Sequence, residues 1–145
     1  MLVPGYSGKT LAQKLGFYQG MTLHLINPPA EYQTWLGEIA LGLRFKDDFG
    51  QKEIKAVHLF CRTKAELLEH LTKLRSNLAQ DGFVWVSWPK KSAKVPTEIT
   101  EDVIRELALP LGFVDVKVCA VSEIWSGLKR FIRKSERTIL ESVPR

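Results

Sequence analysis

IKAVHLFCRTKAELLEHLTKLRSNLAQDGFVWVSWP, residues 54–89, reads as strand, helix, strand. Ile54 to Cys61 is apolar at Ala56, Val57, Leu59 and Phe60, on both faces, as a strand inside a parallel sheet covered by helices requires. Thr63 and Glu66 have capping-box spacing, Leu67, Leu68, Leu71, Leu74 and Leu78 recur at helical intervals, and Gly82 is expected to close the helix. Phe83 to Trp88 follows as another strand. Two strands joined by a helix of that length form a βαβ unit with parallel strands.

Towards the N-terminus, Met21 to Asn27 is a short apolar strand bounded by Gly20 and the pair Pro28-Pro29. A short helix from Ala30 to Leu36, a weaker strand from Leu41 to Phe45 and a polar turn at Asp47, Asp48, Phe49 and Gly50 follow. In GYSGKTLAQKLG, Ser7 or Gly8 is expected to cap a helix through Leu15 that Gly16 ends. Gly5, Gly8, Lys9 and Thr10 imitate a phosphate loop, but Val3 stands where its first glycine belongs and no room remains for the preceding strand.

Towards the C-terminus, PKKSAKVPT is a loop between prolines, and Thr100, Glu101 and Asp102 start a helix with Val103, Ile104, Leu107 and Ala108 buried. Pro110 is expected to end that helix near Ala108. Phe113 to Val121 and Leu128 to Arg133 read as the last two strands, and SEIWSG between them is long enough for a hairpin only, so they pair antiparallel. The segment from Ser135 to Arg145 is expected to fray. Residues 1–145 are read as one domain, with 1–20 an N-terminal helical segment.

A domain of 145 residues buries roughly two-thirds of its unfolded surface. With 45% hydrophobic and 26% charged residues, the chain is neither disordered nor membrane-spanning in composition. MLVPGYSGKT lacks the basic start and apolar core of an export signal, so a cytoplasmic location is expected. Cys61 and Cys119 each fall in an apolar strand-like run, which fits buried reduced thiols. The net charge of +5 is concentrated at Lys90, Lys91 and Lys94 and again at Lys129, Arg130, Arg133 and Lys134, and permits an anionic partner. His24, His58 and His70 have no spacing that makes a metal site, and Ser87, Ser92 and Ser126 lie in no nucleophile motif.

The fold expected is α/β: one doubly wound, mostly parallel, Rossmann-like sheet of about six strands with a C-terminal antiparallel hairpin. The run helix, GFVWVSWP, helix, GFVDVKV resembles the second half of the S-adenosylmethionine-dependent methyltransferase fold. Ligands of such sheets bind at the carboxyl ends of the strands. Asn27, Trp88, Lys90, Lys91, Ser92, Trp125, Ser126 and Lys129 are therefore the candidate ligand-binding residues, combining mobile cations, flat rings and directional hydrogen bonds. A methyltransferase site needs a Gly-rich turn after its first strand, where this chain has Ile26-Asn27-Pro28-Pro29-Ala30, so S-adenosylmethionine is not expected. Asp47 or Asp48 stands where a ribose-binding carboxylate would be.

GYSGKTLAQKLG, WPKKSAKVPTEIT and LGFVDVKVCAVSEIWSGLKRFIR, with KVCAV and WSGLK in the last, resemble a family of small bacterial proteins of unknown function. That family commonly carries proline at the position of Thr10 and aspartate at that of Ser122, which makes the phosphate-loop appearance accidental and weakens an acid or base role for Ser122. The resemblance implies a shared fold and no activity. The expected function is a non-catalytic or degenerate Rossmann-like module holding an anionic ligand or partner at the strand carboxyl edge. The alternatives are a small methyltransferase-like enzyme with an atypical cofactor site and, more weakly, nucleic-acid binding through the C-terminal basic cluster.

Overall fold

The computed structural model describes residues 10–48 and 52–132. Six strands form one sheet: β1 (Thr22–Ile26), β2 (Arg44–Lys46), β3 (Ile54–Phe60), β4 (Leu78–Pro89), β5 (Phe113–Ala120) and β6 (Trp125–Ile132), in the order β2-β1-β3-β4-β6-β5. The first four are mutually parallel. Strand β6 inserts antiparallel between β4 and β5, so the C-terminal hairpin is docked through its second strand. The sheet is the expected one, doubly wound and mostly parallel with an antiparallel end.

Alternation along the strands divides the core. Val57 and Leu59 of β3, Val84 and Val86 of β4 and Leu128 of β6 point to one face. There they meet Leu67, Leu71 and Leu74 of α3 (Lys64–Asn77) and Ile104 of α4 (Glu101–Ala108). Ala56, Phe60, Trp85 and Trp125 point to the other, beneath α1 (Leu11–Leu15) and α2 (Tyr32–Leu36). Cys61 belongs to the first face and Cys119 to the second; both thiols are free and buried, and the sheet lies between them. Helices α3 and α4 start as their sequences require, Thr63 and Thr100 accepting hydrogen bonds from the Glu66 and Val103 amides.

Several boundaries differ from expectation for local reasons. Helix α3 ends at Asn77 rather than at Gly82, because Leu78 is already extended (φ −69, ψ 136) and pairs with Ile54. Gly82 lies inside β4 where the β3 pairing shifts register; a Cβ there would be 2.7 Å from the Ile54 carbonyl, so glycine permits the close approach of two backbones. Leu68, counted on the apolar face of α3, is exposed, being one helical step off the stripe of Leu67, Leu71 and Leu74. The cap of α1 is Thr10, in a reciprocal capping box with Gln13; Ser7 and Gly8 lie outside the described residues, as do the turn residues Phe49 and Gly50 and the tail 135–145. Residues 37–42 form a 3-10 turn, so β2 begins at Arg44 rather than Leu41. Strand β6 starts at Trp125, three residues earlier than Leu128, because the Ser122 hydroxyl accepts the amides of Ile124 and Trp125 (3.1 Å each) and closes the hairpin within Val121–Ile124.

Candidate functional site

Strand order reverses at β1, whose two neighbours are β2 and β3. In open α/β sheets that reversal leaves a crevice at the carboxyl ends of the strands. A cavity of about 520 Å³ lies there, reaching from Asn27, Pro28 and Pro29 after β1 to Phe60 and Arg62 at the end of β3 and to Trp125 at the start of β6. Asn27 adopts a left-handed conformation (φ 56) and its side-chain amide donates to the Phe60 carbonyl at 3.4 Å. The chain thus makes, with an asparagine, the sharp turn for which glycine is the usual choice, and the following prolines line the cavity instead of filling it.

Aromatic packing makes one wall. The Phe60 and Trp125 rings meet edge to face at 5.0 Å, and the Arg62 guanidinium lies 5.8 Å from the centre of the Trp125 ring. Among the described residues no carboxylate is ion-paired with Arg62. The Arg62 carbonyl accepts from the Glu98 amide (2.8 Å) and the Thr97 hydroxyl (3.0 Å), which fixes the backbone from which its side chain extends. Glu31 and Glu66 also line the cavity, so among the described residues it presents one cation and two carboxylates. Burial, with a smaller contribution from Glu66, pushes the Cys61 thiol up to about 12, so it stays protonated and supplies no nucleophile.

Beneath this wall runs a buried polar chain. Tyr32 Oη is 2.7 Å from His58 Nδ1, and His58 Nε2 is 2.7 Å from Ser87 Oγ. All three side chains are buried, and His58 stacks on Phe60 at 4.3 Å. With both ring nitrogens engaged, a neutral imidazole donates at one and accepts at the other. Burial lowers the His58 pKa to about 3 and holds the Tyr32 hydroxyl well above its ordinary value. This constellation supports the cavity floor. His24 points to the opposite face of the sheet, its ring bonded to the Asp48 carbonyl, so the two histidines share no space. Among the described residues no group of three or more His, Cys, Asp or Glu side chains is placed to hold a metal.

The eight residues singled out from the sequence do not converge. Asn27 and Trp125 line the cavity just described. Trp88 and Lys91 line a different one, of about 640 Å³, between the end of β4 and the start of α4. Lys90 ties its loop to the hairpin, its amide donating to the Ile124 carbonyl at 2.7 Å, and Ser92 sits exposed in the 3-10 turn Lys91–Ala93. Ser126 is a strand residue opposite Trp88 rather than part of a turn. Lys129 pairs with Trp85 well inside the sheet, its ammonium 4.4 Å over the Phe83 ring, and burial lowers its pKa, with Lys117 adding to the effect. The basic C-terminal cluster is likewise divided: Arg130 is fully buried against Asp115 at 2.8 Å, and Arg133 and Lys134 lie outside the described residues. Arg62 was missed. It is the second residue beyond β3, and its importance depends on β1 and β3 being neighbours.

The order β2-β1-β3-β4-β6-β5 and the crevice at β1 define a module with the methyltransferase-like Rossmann fold. The chain belongs to a family described as protein of unknown function (DUF3052), whose model matches residues 38–134. No curated protein matches it at a significant level. Among solved structures it is similar to a protein assigned as a type 11 methyltransferase from Sulfolobus solfataricus (TM-score 0.59, 15% identity, 87% of this chain and 91% of that one). A SAM dependent methyltransferase from Aquifex aeolicus gives TM-score 0.59 at 13% identity, covering 84% of this chain and 87% of the other. A ribosomal protein L11 methylase from Lactobacillus delbrueckii subsp. bulgaricus gives 0.52 at 12%, covering 85% and 75%. Identities this low carry the fold and leave the chemistry to the site. No helix among the described residues is long and apolar enough to cross a membrane.

Proposed function

We propose that the chain is a small-molecule binding module whose ligand lies in the cavity between β1 and β3 with a carboxylate on Arg62. The observation that carries this reading is an arginine with no ion-pair partner among the described residues, placed over Trp125 at the switch point of the sheet. A guanidinium offers a planar fork of donors that matches a carboxylate, and the cavity volume of about 520 Å³ suits a small ligand. Glu31 and Glu66 on the same lining favour an amino-acid-like zwitterion over a polyanion, because a second negative charge on the ligand would face them. Of the anionic ligand expected at the strand carboxyl edge this reading keeps a carboxylate, anchored on Arg62 rather than on the lysines.

A second reading, that the zwitterion is the amino-acid end of an S-adenosyl compound, is favoured by one further feature. A cavity of about 500 Å³ adjoins the first across Pro28 and is lined by Phe45, Asp47 and Asp48 at the end of β2, which leaves room for a nucleoside beside a carboxylate. Thermal-shift titration with S-adenosyl-L-homocysteine, L-methionine and adenosine separates the two. Stabilisation by the amino acid and not by adenosine supports the first reading, a much larger shift with the adenosyl compound supports the second, and no shift with any of them, or shifts that survive Arg62→Ala, refutes both.

A further inference from the structure

The cavity between the end of β4 and the start of α4 points to a second binding site, and we infer that it takes a small apolar monocarboxylate. Its volume of about 640 Å³ is in the range of small-molecule sites, and its walls are Trp88, Val95, Pro96 and Ile99. Trp88 and Ile99 belong to the core and back the cavity, and the accessible apolar lining is Val95 and Pro96. Lys91 and Lys94 complete the lining, and among the described residues neither ammonium has an ion-pair partner. Among the described residues the one carboxylate on this lining, Glu101, is engaged by Arg105 at 2.8 Å.

Charge and surface together select the ligand. Apolar walls gain free energy only by covering an apolar body, and two ammonium groups act as point charges for an anionic head. A phosphate or free polyanion leaves the accessible apolar lining at Val95 and Pro96 uncovered; a neutral ligand leaves the lysines unused. One negative charge on an aromatic or aliphatic body satisfies both.

A backbone observation supports the assignment. Lys94 ends the 3-10 turn Lys91–Ala93 in the left-handed region (φ 56), where glycine is the residue of lowest cost. A lysine there costs conformational energy that a glycine would not. Val95 lines both this cavity and the one at Arg62, so the two are neighbours with a common wall while their anchoring cations are different residues.

The test uses 1-naphthoate and its uncharged counterpart 1-naphthamide, titrated into the full chain and followed by amide and indole NMR resonances. Naphthoate is expected to shift the Trp88 indole and to bind at least fivefold more tightly than the amide. Lys91→Gln with Lys94→Gln, both exposed positions, is expected to abolish that preference, while Lys73→Gln, an exposed lysine of α3 that lines neither cavity, leaves it unchanged. Lys94→Gly separates structure from binding: it raises the thermal midpoint by relieving the left-handed lysine and weakens naphthoate about threefold. Equal affinity for acid and amide, a preference that survives the double variant, or shifts centred on Trp125 rather than Trp88 overturns the inference; the first two leave the Arg62 reading untouched, and the third places the carboxylate at Arg62 instead.

Discussion

Lowering the pH from 7 to 5 removes about 2 kcal/mol of folding stability through His58 alone. In the folded chain His58 is fully buried between Tyr32 and Ser87, and its pKa falls from 6.5 to about 3. The unfolded chain therefore takes up a proton at this side chain that the folded chain refuses, and stability rises with pH between about 3 and 6.5. At pH 5 the unfolded imidazole is about 1.5 units below its pKa, and at about 1.4 kcal/mol per unit the penalty is about 2 kcal/mol. Burial lowers the His70 pKa in the same direction, and its contribution is common to wild type and to His58→Gln. Burial alone would raise Asp115, but hydrogen bonding to Arg105 and the charge of Arg130 hold it below its ordinary value, so its loss of stabilisation comes at more acid pH. Urea unfolding of both proteins at pH 7 and 5 isolates the term: wild type loses about 2 kcal/mol more than the variant. Equal losses refute the reasoning, as does a native His58 ring resonance that titrates between pH 5 and 8, a measurement that needs no variant.

Two further predictions concern packing. Gly82→Ala places a methyl 2.7 Å from the Ile54 carbonyl and 3.0 Å from Leu78. It costs about 1–3 kcal/mol, read as a lower denaturant midpoint at unchanged slope. Asp115→Ala strands the fully buried Arg130 guanidinium and also removes a partner of Arg105. The cost is about 3 kcal/mol, and Arg130→Met, which removes the buried charge itself, costs less in the same unfolding assay.

The parts of the fold that rest on short-range pattern were readable from residues alone. The leucine stripe and Thr63 cap of α3, the two-faced apolar run of β3 and the short hairpin connection lead directly to a βαβ unit and an antiparallel end. Boundaries were less legible where a distant backbone decides them. Gly82 reads as a helix stop until Ile54 is known to lie against it, and Trp125 reads as loop until the Ser122 hydroxyl is seen to close the turn before it.

The site divides along the same line. Asn27 is visible as the end of the first strand, and Trp125 as a flat ring near the hairpin. Lysine density drew attention to Lys90, Lys91 and Lys129, yet period-two alternation from the true start of β6 places Lys129 among Phe83, Trp85 and Phe131. Arg62 carries no local motif. What distinguishes it is the adjacency of β1 and β3, a contact more than thirty residues apart in sequence.

The most direct test of the Arg62 reading is calorimetric titration of wild type and Arg62→Ala with S-adenosyl-L-homocysteine and with L-methionine, checked by the Trp125 indole resonance. The account predicts binding of at least one of them to wild type, a shift at Trp125, and at least a tenfold loss in Arg62→Ala with the fold unchanged. No binding of either, or equal affinity in wild type and variant, contradicts it.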